Sequence, residues 1–100
     1  MGKLIKVYWR DIPSHIIFKT KSGKFKKQMS PRFAEAIDRA AMRAGKGSSD
    51  AYMADWRRDI KNINTSDPQS MVDREIQLLE TIFSDDLLEK TVKSKGIKEK

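Results

Sequence analysis

The chain has 100 residues, 38% of them hydrophobic and 35% charged, which suffices for one modest core in a single domain (1–100) and leaves too little for two. Cysteine is absent and histidine occurs once, so disulfides, thiolate catalysis and cysteine-ligated metal sites have no donors, and His15 is the one imidazole for a hydrolytic triad or a zinc ion. The net charge of +7 is lopsided: residues 1–47 carry 12 Lys and Arg against 3 acids, whereas residues 48–100 carry 9 against 11. The first half is a candidate surface for an anionic partner, although a lysine-rich composition bias gives the same count.

From Leu4 to Arg10 the side chains alternate, placing Ile5, Val7 and Trp9 on one side and Lys6, Tyr8 and Arg10 on the other, which predicts a half-buried strand. Asp11-Ile12-Pro13-Ser14 reads as a turn, because proline lacks an N–H and restricts the residue before it. His15 to Lys19 predicts a second strand, Lys21-Ser22-Gly23-Lys24 a hairpin turn with Gly23 free to take positive φ, and Phe25 to Met29 a third strand.

Ser30-Pro31 marks a helix start, with serine as N-cap and proline in the first turn. Phe33, Ala34, Ile37, Ala40, Ala41 and Ala44 recur at helical spacing, Gly45 stands at the C-terminal cap, and the alanine face predicts close packing on Trp9. Ser48 or Ser49 caps a short second helix that places Tyr52 and Trp56 on one face. Residues 57–63 fit a helical turn or an edge strand equally. Asn64 to Pro68 links to an apolar stripe of Val72, Ile76, Leu79, Ile82 and Phe83, and Ser84 opens a last helix with Asp85 and Asp86 in its first turn and Gly96 beyond its end.

These elements predict an α+β fold in which a small antiparallel sheet of hairpins (1–29) is covered on one face by about four helices, two in 30–56 and a C-terminal pair in 66–96. No apolar run approaches the ~18 residues that span a bilayer, and the first residues lack a secretory signal's apolar segment, so the expected location is cytoplasmic, without a membrane.

Three stretches together resemble the small bacterial domain family labelled "virulence factor", which also occurs inside larger proteins called conserved virulence factor C. They are Val7-Tyr8-Trp9-Arg10-Asp11-Ile12-Pro13, the helix Phe33 to Gly45, and Asp50-Ala51-Tyr52 with Trp56-Arg57-Arg58. The resemblance covers roughly residues 3–60 and is weak from Pro68 onward. It implies no reaction, ligand or catalytic residue. In the larger proteins the domain accompanies helical repeats and a segment related to iron–sulfur scaffold proteins, which implies a setting near cofactor, iron–sulfur or one-carbon metabolism.

The residues themselves leave three functional readings. The first is a non-enzymatic interaction module whose Tyr8, Trp9, Arg10, Asp11, Trp56, Arg57 and Arg58 dock on a partner protein, since arginine beside aromatic rings is a common interface composition. The bland account makes Arg10-Asp11 a local pair that orders a turn and Arg57-Arg58 a solvated charge run. The second is a nucleic-acid-binding protein that uses Lys19, Lys21, Lys24, Lys26 and Lys27. It is not favoured, because the nearby Phe18 and Phe25 read as core rather than as stacking platforms. The third is an anion-binding protein or enzyme with a site near Arg10, His15 and Arg57. Ser14 adjoins His15, but strand neighbours point to opposite faces and are not expected to form a nucleophile–base pair. Asp85, Asp86 and Glu89 are explained by helix-dipole capping. No catalytic residue, metal ligand or cofactor is assigned.

Overall fold

The computed structural model describes residues 2–45 and 53–97. The chain runs β1 (Gly2–Trp9), β2 (Ile12–Thr20), β3 (Gly23–Gln28), α1 (Pro31–Arg43), β4 (Trp56–Ile63), α2 (Pro68–Ile82) and α3 (Asp85–Lys93). The strands form one antiparallel sheet in the order β3-β2-β1-β4, so the stretch that fitted helix or strand is an edge strand. The described residues hold three complete helices where about four were expected; of the expected second helix, Met53 and Ala54 are helical and the part before them lies outside the described residues. Trp56 is not on a helix but opens β4 opposite Trp9, and Ser48, Ser49 and Tyr52 lie outside the described residues.

The first two strands are joined by a two-residue turn at Arg10 and Asp11, with Trp9 paired to Ile12. Pro13 does not end pairing as expected. It sits buried within β2 opposite Tyr8, beside a one-residue register shift that leaves Ser14 without a partner on β1, and a bulge is where a sheet tolerates a missing N–H. Thr20 pairs with Gly23, so the second turn is Lys21-Ser22 and Gly23 begins β3 without positive φ.

The helices cover the face that carries Leu4, Ile16, Phe18 and Phe25, with α1 packed on β2 and α3, and α2 packed on β2 and β3. This reverses the expected inner side of β1. Leu4 faces the helical core, Ile5 and Val7 are buried outside that cluster, and Trp9 joins it beyond the bulge together with its partner Ile12. Alternation separated Leu4 from Ile5 and Val7 correctly but not Trp9, which was grouped with Ile5 and Val7 and lies in the helical core, and only the pairing decides which side meets the helices.

Helix ends follow local chemistry with one exception. Gly45 takes φ 72° after α1, Asp67 accepts a hydrogen bond from Ser70 N at the start of α2, and Ser84 accepts one from Leu87 N at the start of α3. Ser30 holds the N-cap position of α1 but makes no side-chain cap. Its N and Oγ donate instead to the Glu80 carboxylate on α2, at 2.8 and 3.0 Å, and Arg32 Nη2 donates to the same carboxylate at 3.0 Å. Glu80 therefore ties the start of α1 to α2.

Candidate functional site

The turn that closes β1 and β2 draws Arg10, Asp11 and Arg57 together, and each is committed to the fold. Arg10 adopts φ 53° at the first turn position, a conformation that ordinarily favours glycine. The surroundings hold it there: its N–H donates to the Asp55 carbonyl at 3.0 Å, its Nε to the Asp55 carboxylate at 3.2 Å and its Nη1 to the Lys95 carbonyl at 2.8 Å. Its own carbonyl accepts from Arg57 Nε at 2.8 Å. Arg57 also reaches Asp11 Oδ1 at 3.4 Å and Asp59 at 3.3 Å, and its guanidinium lies 4.4 Å from the centre of the Tyr8 ring. Asp11 N donates to the Gly96 carbonyl at 2.9 Å, which pins the end of α3 to the turn. Trp9 is fully buried, so its ring belongs to the core. Burial raises the Tyr8 phenol above its ordinary value, while Lys6 and Arg57 work against that shift and Asp59 and Glu75 with it.

Arg58 does not join this cluster. The register places it opposite Val7, on the sheet face away from the helices, together with His15 across β1. There Val7, His15, Met53, Trp56, Arg57 and Arg58 line an open groove of about 390 Å³. Trp56 is half-buried and Met53 is 64% exposed, so the groove offers apolar surface beside Arg58. His15 and Arg57 share this groove, whereas Arg10 is turned to Asp55 and Lys95.

At Ser14 and His15 the structure overturns the alternation argument. The bulge places Ser14 Oγ 3.1 Å from His15 Nδ1, so the neighbours do meet. The couple nevertheless lacks what activates a serine. Partial burial lowers the His15 pKa below its ordinary 6.5, and the nearby Lys26 and Arg58 lower it further. The imidazole is thus a neutral, weak base flanked by cations, where a catalytic base is oriented by a carboxylate. Among the described residues no group of three His, Asp or Glu is placed to hold a metal ion.

The hairpin lysines divide by face. Lys27 pairs with Asp73 on α2 at 3.0 Å, on the helix side, as does Lys6 with Glu75 at 3.1 Å. The second contact is Coulombic, for no donor reaches the buried Glu75 Oε2 with hydrogen-bond geometry among the described residues. Lys19, Lys24 and Lys26 are register partners of Lys3, Lys19 and Ile17 and lie on the opposite face. Lys3, Lys19 and Lys21, with Gly2, Thr20 and Asn62, line a second open groove of about 410 Å³ at the far end of the sheet. Lys3 is a member of this cluster that sequence reasoning passed over. Its register opposite Lys19 is the signal, and that is invisible until the strands are aligned.

A family model described as "Virulence factor" matches residues 7–92. The chain belongs to the virulence factor family. The match extends through α2 and most of α3, so the C-terminal helices that carried little of the resemblance are part of the family domain. No curated protein and no solved structure matches the chain. Among the described residues no helix is long and apolar enough to cross a membrane.

Proposed function

We propose that this virulence factor domain is a small, non-enzymatic, cytoplasmic interaction module that docks a partner protein on the sheet face away from its helices, at the groove formed by Val7, His15, Met53, Trp56, Arg57 and Arg58. The observation that carries this reading is the groove itself: aromatic, methionine and arginine side chains surround an apolar floor at the free edge of β4, the composition from which interface hot spots are built. Of the partner contacts expected from the sequence, Trp56, Arg57 and Arg58 line the groove, while Tyr8, Arg10 and Asp11 hold Arg57 in place. The test is a photo-crosslinking side chain at Met53, with Leu78 on α2, 51% exposed, as the control position. A discrete polypeptide adduct at position 53 that is absent at 78 and lost with Arg58→Glu supports docking; no adduct, or adducts equal at both positions, overturns it.

The lysine groove supports a second reading, a nucleic-acid contact made through the phosphate backbone by Lys3, Lys19 and Lys21. Its mark is affinity that falls steeply with salt, and an affinity unchanged between low and moderate salt removes it.

A further inference from the structure

The sheet face away from α1, α2 and α3 is ordered in rows. Reading across the strands, Lys24, Lys19, Lys3 and Asn62 form one row, Lys26, Ile17, Ile5 and Ile60 the next, and Gln28, His15, Val7 and Arg58 the third. Ile5, Val7, Ile17 and Ile60 thus form an apolar block bordered by five cations, Lys3, Lys19, Lys24, Lys26 and Arg58; Ile5 and Val7 are buried, so the accessible part of the block is half-buried Ile17 and exposed Ile60 on either side of them. Among the described residues none of these cations makes an ion pair, and no Asp or Glu occupies any strand position on this face. On the helix side Lys6 and Lys27 face carboxylates, as does Arg57, which the register places opposite Tyr8 and which also borders the groove at the edge strand β4. Like charges directly opposite one another weaken a sheet, and Lys3, Lys19 and Lys24 are three such neighbours. Folding does not call for that arrangement, but an anionic occupant does.

From this we infer that the occupant of this face is an acidic amphipathic helix of a partner protein. The inference rests on the docking reading above and names its partner class. Strands lie ~4.8 Å apart, so Ile17 and Ile60, which flank Ile5 on neighbouring strands, stand about 10 Å from one another. That matches the apolar stripe of roughly two helical turns, and a helix ~10 to 12 Å across carries its flanking side chains over the bordering cations. Ile60, 57% exposed at the free edge, is the contact left most open. A polynucleotide would take the same charges, but the block is aliphatic and Phe18 and Phe25 are on the helix side, which leaves half-buried Trp56 and His15, in the groove away from the lysine row, as the rings this face offers to bases.

The experiment presents the immobilised full chain to a display library of 16-residue peptides and measures the best binder by fluorescence polarisation and circular dichroism. The expected binder carries Glu and Asp beside apolar residues at helical spacing and becomes helical on binding. Its affinity falls at least tenfold with Lys19→Glu/Lys26→Glu and with Ile60→Asp, and is unchanged with Lys93→Glu on α3. Extended or uncharged binders that Ile60→Asp still blocks overturn the acidic helix and leave the docking reading standing. No enrichment over the Ile60→Asp variant removes both. Tighter binding of a 20-nucleotide single strand than of the best peptide assigns the charges to nucleic acid and likewise overturns the proposal.

Discussion

Gly96 and Gly45 both adopt left-handed φ, at 88° and 72°, yet they differ in what surrounds them. A Cβ at Gly96 would lie 2.7 Å from Trp9 Cζ3, whereas nothing comes within 4 Å of one at Gly45. Gly45→Ala is therefore expected to cost only the backbone term, about 1 to 2 kcal/mol. Gly96→Ala adds a clash with a fully buried indole and is expected to cost roughly 3 to 5 kcal/mol. Urea unfolding of the two variants checks the ordering, and equal losses would mean that Trp9 is not locked against the end of α3. At His15 the expectation concerns pH. Its folded pKa is lowered by partial burial, Lys26 and Arg58, so the unfolded chain binds this proton more readily. The contribution of His15 to stability is intact above the ordinary 6.5 and declines as pH falls from there toward the lowered folded value. Lys26→Gln is expected to raise the His15 titration followed by NMR, and no movement would place Lys26 away from the imidazole.

At the scale of elements, the sequence was legible at most helix ends and stripes, where the signal is local, though not at Gly23, which opens β3 instead of turning the hairpin. Gly45 after the alanine face, Ser84 with Asp85 and Asp86, and the stripe from Val72 to Leu79 depend on spacing within one helix, and each stands where expected. What else was misread depends on a second element. Pro13 stays in its strand because a bulge accommodates it, Ile5 and Val7 face away from the helices because α1 and α2 settle on the other side, and the serine at the head of α1 turns from capping to Glu80. Glu80 is where the two helices depend on each other. Burial raises its pKa, but donation from Ser30 N and Oγ and from Arg32 outweighs this and holds the carboxylate below its ordinary value. Its contribution to stability is hence present above the ordinary value of 4.5 and is lost as pH falls through the lower folded one. A double-mutant cycle of Ser30→Ala and Glu80→Gln is expected to give a coupling of about 1 to 2 kcal/mol at pH 7. That coupling should fade in acid, and a cycle that closes additively at pH 7 would show that the contact does no structural work.

Across the whole molecule, charge is sorted by sheet face, and this was the least legible property of all. The sequence displayed an excess of lysine in its first half, which bias and binding explain equally well, because alternation does not tell which lysines share a face. Pairing Lys3 with Lys19, and Lys19 with Lys24, turns a composition into a field. That field makes a prediction opposite in sign to the usual effect of mutation. Lys19 stands between two lysines, is exposed, and makes no ion pair among the described residues, so Lys19→Gln removes two repulsive neighbours without breaking an ion pair to any described residue. It is expected to raise stability by about 0.2 to 0.5 kcal/mol at low ionic strength. The gain should vanish near 1 M salt, where screening acts over ~3 Å, and this salt dependence separates relief of repulsion from a change in strand propensity, which salt does not remove. Thermal unfolding of both proteins across a salt series makes the measurement. A destabilised Lys19→Gln variant would mean that the lysine stem covers apolar surface, giving the row a folding role and removing the argument that it exists for an occupant.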